Sequence, residues 1–137
     1  MGKTLVAKKS KIRGRGCFTL VPLEKRRKFA DYAGEVLRGR RRINARLNEQ
    51  EEIFKIIWLT EELAIDASVG GNETAFINHS CDPNSFMRIL RGDRVGFFAL
   101  RDIAAGEEIT INYRDPDHPP ADACRCGASN CRSLKKR

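Results

Sequence analysis

Apolar residues along this chain fall in short runs that alternate with polar ones and are broken by Gly, Pro, Asp or Asn, while few windows hold a helical period. Thr4-Leu5-Val6-Ala7 predicts a first strand. The loop Ile12-Arg13-Gly14-Arg15-Gly16 follows, its two glycines open to positive dihedrals and close ligand approach, before Cys17-Phe18-Thr19-Leu20 resumes as a strand. Beyond Pro22 and a basic run, residues 29–37 alternate as one strand closing on a glycine bend, with Tyr32 at a strand end. Residues 40–52 lack Gly and Pro, space Ile43 and Leu47 four apart, and predict a surface helix. Residues 53–59 and 63–66 predict two strands, and Gly70-Gly71-Asn72 leads into residues 75–84. Two apolar runs then flank Arg91-Gly92-Asp93 as a hairpin, and residues 108–113 alternate as a last strand. The fold class is mainly β, with few short helices.

With 137 residues the chain has room for one core and not for two domains. No apolar run reaches the length of a signal peptide or membrane span, which predicts a soluble intracellular protein without a membrane partner. Charge refines this picture. Of the net +8, residues 1–46 hold fifteen Lys or Arg against three acids, whereas residues 48–73 hold one against seven. A basic front of this kind can meet nucleic acid phosphates, and an acidic belt can attract a basic partner. Five cysteines in an intracellular chain argue for metal over disulfides. Cys124, Cys126 and Cys131 supply three corners of a tetrahedral zinc site. Cys81 is the better fourth ligand, because Cys17 lies in a strand where it can be a small buried hydrophobe.

The densest chemistry is Ala75-Phe76-Ile77-Asn78-His79-Ser80-Cys81-Asp82-Pro83-Asn84, which puts an amide, an imidazole, a hydroxyl and a thiol beside one another ahead of a turn. An isolated Asn-His pair is ordinarily a pair of satisfied core groups. Its company changes that reading. Gly14-Arg15-Gly16, Tyr32-Ala33-Gly34-Glu35, residues 78–84, Gly106-Glu107-Glu108-Ile109 through Tyr113, and the terminal cysteines together resemble the SET-domain family of protein-lysine methyltransferases. The resemblance runs from Arg13 to Arg132.

It implies small curved sheets, a knot-like threading of the C-terminal segment, a SET domain over residues 1–113, a linker at 114–123 and a post-SET zinc-binding tail at 124–137, with no pre-SET module. The implied cofactor is S-adenosylmethionine, held by Gly14, Arg15, Gly16, Phe76, Asn78, His79 and Tyr113. Tyr113 stands nearest the reacting centre, and Tyr32 and Phe98 wall a lysine channel; Phe at position 98 implies di- or trimethylation. Cys81, Cys124, Cys126 and Cys131 hold one structural zinc. The substrate implied is a lysine in a basic segment of a histone or other basic protein, the location nuclear or chromatin-associated in a eukaryote and otherwise cytoplasmic. The chain departs from the family at Ala75, where Arg is common, at Asn112, where Asp is usual, and at Arg26, where a glycine is expected. A different class of function, a non-enzymatic basic zinc module touching nucleic acid or chromatin, accounts for the charge and the cysteines but not for Tyr32, Tyr113 and the Asn-His pair.

Overall fold

In a computed structural model, which describes residues 3–49, 55–114 and 124–133, the apolar runs pair into three small sheets. The strands in chain order are β1 (Leu5–Lys9), β2 (Arg15–Thr19), β3 (Lys28–Asp31), β4 (Glu35–Arg38), β5 (Ile56–Thr60), β6 (Leu63–Asp66), β7 (Asn78–His79), β8 (Ser85–Ile89), β9 (Val95–Ala99) and β10 (Glu108–Ile111). One helix, α1 (Arg40–Glu49), and a 3-10 turn at Glu73–Phe76 complete the described elements. The sheet orders are β1-β2-β10-β7, β3-β9-β8 and β4-β6-β5. The residues 29–37 expected as one strand form two strands in different sheets, because Ala33-Gly34 turns the chain between them. None of the described helices is long and apolar enough to cross a membrane.

Two segments eighty positions apart fold alike. β2 with its following turn and β3 repeats as β9 with its following turn and β10, and the copies are bonded reciprocally. Leu23 and Ile103 exchange both backbone hydrogen bonds. Arg26 N donates to Ala99 O and Gly106 N to Thr19 O, each at 2.7 Å. β2 then pairs with β10, and β9 with β3. This pseudo-two-fold places Gly106 and Arg26 at one turn position, with φ of 91° and 70°. Glycine adopts that region freely, while a residue with Cβ gives up roughly 1–2 kcal/mol there.

The main core joins the sheets through Leu5, Cys17, Tyr32, Ile65, Ile77, Val95, Phe97, Ile109 and Ile111. A second cluster of Leu37, Ile43, Ile56 and Ala64, with Leu47 against it, seats α1, as the spacing of Ile43 and Leu47 predicts. Arg46 on the last turn of α1 reaches the fully buried Asp66 at 2.7 Å and Glu35 at 2.5 Å. Asp66 also accepts from Ser68 N and Oγ. Burial raises the Asp66 carboxyl pKa, but the Ser68 and Arg46 bonds outweigh it and hold the group below its ordinary range.

Candidate active site

β7 is two residues long, yet three separate parts of the chain converge on it. It lies parallel to β10, with Asn78 opposite Thr110 and His79 opposite Ile111. Asn78 Nδ2 has two protons for three acceptors, Arg13 O at 3.1 Å, Arg15 O at 3.1 Å and Glu108 Oε2 at 2.9 Å. Ser10 Oγ donates to the same carboxylate at 2.7 and 2.8 Å. The loop at Gly14 is thereby pinned to the start of β7, with Arg15 over the Phe76 ring at 5.5 Å and Lys55 at 5.0 Å. Gly14 takes the positive φ expected of the loop, 44°. Gly16 instead lies within β2, where an added Cβ would strike the Glu108 carboxylate and displace it from Ser10 and Asn78.

Beside this cluster is a pocket of about 140 Å³, walled by Tyr32, Ile57, Ile77, Met87, Phe97, Ile111 and Tyr113, with Thr74, Ala75 and Asn112 also on its lining. Two of the chain's departures from the family pattern, Ala75 and Asn112, thus sit on the pocket wall. Tyr113 Oη donates to Ile77 O at 2.7 Å, and Tyr32 Oη to Lys55 O at 2.6 Å. Each phenol gives its proton to a backbone carbonyl and keeps acceptor lone pairs. Burial raises both phenols; Tyr113 reaches about 12, with the Arg13 charge opposing and Glu108 adding to the rise. Both are neutral near pH 7.

Phe98 is not on this wall. It pairs across the β8–β9 ladder with Phe86, stacks on that ring at 5.4 Å and is capped by Arg88 on the opposite face of the sheet. Phe97, 1% exposed, lines the pocket and meets Tyr32 edge-on at 6.1 Å. The alternation of Val95, Phe97 and Ala99, all apolar, against Arg94 and Gly96 was the signal for which face turns inward.

His79 faces the other way, toward the cysteines. Its Nδ1 accepts from Tyr113 N at 3.0 Å, so the ring proton is assigned to Nε2, which meets Cys81 Sγ at 3.3 Å. Burial, with the Arg132 charge, depresses its pKa to about 4. The imidazole is therefore engaged inside the protein and joins the end of β10 to Cys81. The thiols of Cys81, Cys124, Cys126 and Cys131 all lie within 4.8 Å of one another. Tetrahedral zinc with sulfur at about 2.3 Å needs sulfurs roughly 3.8 Å apart, so this donor set fits a closed four-thiolate metal site. Cys17 is fully buried in β2, and desolvation pushes its thiol up to about 12.

Ser10 carries no sequence signal, and the motif that contains Glu108 does not show their meeting, which depends on β10 lying beside β2. Among the described residues, two acids of the belt pair with arginines of α1. Glu61 pairs with Arg40, Glu62 accepts from Arg40 N, and Asp66 holds Arg46. Glu51 and Glu52, the linker 115–123 and the basic end Lys135-Lys136-Arg137 lie outside the described residues.

The SET domain family profile matches residues 14–114, most of the chain. The chain belongs to the SET domain family. It is 36% identical over 132 residues to "Histone-lysine N-methyltransferase, H3 lysine-4 specific" of Schizosaccharomyces pombe, covering 90% of this chain and 14% of that protein. It is 36% identical over 138 residues to "Histone-lysine N-methyltransferase trithorax" of Drosophila virilis, covering 90% of this chain and 3% of that one. A chain in the crystal structure of the Chaetomium thermophilum polycomb repressive complex 2 superposes with a TM-score of 0.74 at 29% identity, over 84% of this chain and 16% of that chain. The chain thus spans a small fraction of the length of these relatives.

Proposed function

We propose that this domain is a protein-lysine N-methyltransferase that uses S-adenosylmethionine and acts on a lysine in a basic segment of a histone or another basic protein. The observation that carries the reading is the juxtaposition of a narrow, mostly apolar pocket holding two tyrosine hydroxyls with the pinned Gly14 loop and Asn78. The groups present fit the cofactor's amino-acid end: the Gly14 backbone and the exposed Arg15 guanidinium offer donors, and the Asn78 amide, whose two protons are already given within the protein, offers its oxygen as an acceptor. When bound, the cofactor supplies an electrophilic methyl group on a sulfonium. The chain's task is then to present a neutral amine, which costs about 4–5 kcal/mol at pH 7 for a free lysine. Ile57, Ile77, Phe97 and Ile111 exclude water and disfavour the ammonium. Tyr32 and Tyr113, their protons already given to Lys55 O and Ile77 O, accept from amine N–H groups and orient the lone pair. The amine's proton leaves to solvent, so no dedicated base is needed.

Cys81, Cys124, Cys126 and Cys131 would hold one structural zinc and fasten the tail beside His79. The test is calorimetry with S-adenosylmethionine together with transfer of a labelled methyl group to a panel of basic proteins. Micromolar cofactor binding with label on lysine is expected; a folded protein that binds no cofactor would overturn the assignment.

A further inference from the structure

The two turns related by the pseudo-two-fold differ in charge as well as in strain. Residues 105–108 read Ala-Gly-Glu-Glu, and residues 25–28, in the same backbone geometry, read Lys-Arg-Arg-Lys. All four basic residues are exposed. Arg27 pairs with Glu24 at 3.0 Å in solvent, where such a pair holds little, and Lys28 with the half-buried Asp31 at 2.9 Å. No carboxylate among the described residues pairs with the side chain of Lys25 or Arg26. Arg26 also holds the positive φ that its counterpart meets with glycine. The fold therefore keeps a strained cation where its own repeat shows that an unstrained glycine is accommodated, and strain retained in this way marks a functional position. A cleft of about 390 Å³, bordered by Thr4, Arg27, Lys28 and Phe29 with Glu24 at its side, adjoins the turn.

We propose that the turn Lys25-Arg26-Arg27-Lys28 is a nucleic-acid contact that grips the phosphate backbone without reading bases. Its chemistry is that of such a surface: clustered guanidinium and ammonium groups on a net charge of +8, and no exposed aromatic within the turn to stack on a base. It is separate from the pocket and does not depend on the methyl-transfer reading.

The test is fluorescence anisotropy of the full chain with a mixed-sequence DNA duplex of about 20 base pairs across a salt series. Two variants are compared, Arg26→Gly and the combined Lys25→Ala, Arg26→Gly, Arg27→Ala, Lys28→Ala, with Tm recorded for each. Arg26→Gly is expected to raise Tm by a few degrees while weakening duplex binding about two- to three-fold, a split that a purely structural arginine would not give. The combined variant is expected to lose on the order of ten-fold in affinity at 0.1 M salt and to flatten the dependence of log affinity on log salt by up to about 3.6, near 0.9 per phosphate contact. Wild-type affinity retained by both variants would overturn the proposal. So would displacement of the duplex by polyglutamate as readily as by unlabelled duplex, which would reassign the turn to an acidic protein partner.

Discussion

Tyr113 gives its hydroxyl proton to Ile77 O, and its backbone N–H to His79, so both of its polar ends are fixed before any substrate arrives. Tyr113→Phe removes the acceptor facing the amine while keeping the ring. Turnover should fall on the order of 100-fold with near-normal circular dichroism; a folded variant with full activity would remove Tyr113 from the reaction. Tyr113 was legible as the end of the last alternating segment, and its seat on the pocket was not. Phe97 and Phe98 are adjacent and equally aromatic; the apolar set Val95, Phe97 and Ala99 marks the inner face of β9, and the contact of Phe97 with Tyr32 follows it. With Phe98 on the outer face, Phe98→Tyr should leave the number of methyl groups added unchanged. Enlarging Ile111, which lines the pocket of about 140 Å³, narrows the room for a second or third methyl group. Ile111→Phe should shift the product toward monomethyl-lysine in mass spectra taken at long reaction times, provided the overpacked variant remains folded. The reverse pattern would return the limit to Phe98.

At the scale of elements, the contacts that set the site cross between segments far apart in sequence. Apolar patterning predicted most strands and the hairpin about Gly92, because a half-exposed strand writes its period into the residues themselves, but it merged β3 with β4 and did not mark the two-residue β7. Charge was legible as a count and misleading as a surface. Arg40 and Arg46 lie about twenty residues from Glu61 and Asp66, and only the packing of α1 over the β4-β6-β5 sheet brings Arg46 to Asp66. Arg46→Ala removes the cation from a fully buried carboxylate that still accepts from Ser68, and should lower stability by about 3 kcal/mol at pH 7 in urea titrations. The pH dependence has a definite sign. The Asp66 carboxyl in the folded wild type lies below its ordinary 3.8, so its contribution is present above that value and is lost as pH falls through the folded pKa. The gap between wild type and variant should therefore shrink in titrations below about pH 4, and a gap independent of pH would show that Arg46 acts through packing alone.

Across the whole molecule, the cysteine cluster joins the described part of the tail to the core. Cys81 belongs to the stretch after β7, while Cys124, Cys126 and Cys131 belong to the tail. Hydrogen bonds around that cluster include Asn130 Nδ2 to Cys81 O at 3.1 Å, Arg132 N to Cys81 Sγ at 3.2 Å and Cys81 N to Cys126 Sγ at 3.5 Å. Two of these three involve a thiol, so removing a bound zinc and protonating the thiolates weakens most of the attachment at once. The core sheets contain none of these ties, and the β1-β2-β10 ladder is closed by backbone bonds and by Cys17, Ile109 and Leu5 in the interior. Loss of metal should thus detach the tail without unfolding the domain. It should also reach the pocket, because Cys81 contacts His79 and His79 holds the backbone of Tyr113. Under a chelator, amide exchange is expected to quicken in residues 124–133 and at Tyr113 while β2 and β10 keep their protection, and methyl transfer should fall before any global transition is seen. Elemental analysis should give one zinc per chain, lost in Cys81→Ser and retained in Cys17→Ser. A chelated protein that unfolds as a whole, or metal uptake that survives Cys81→Ser, would show that the cluster is not the clasp between tail and site.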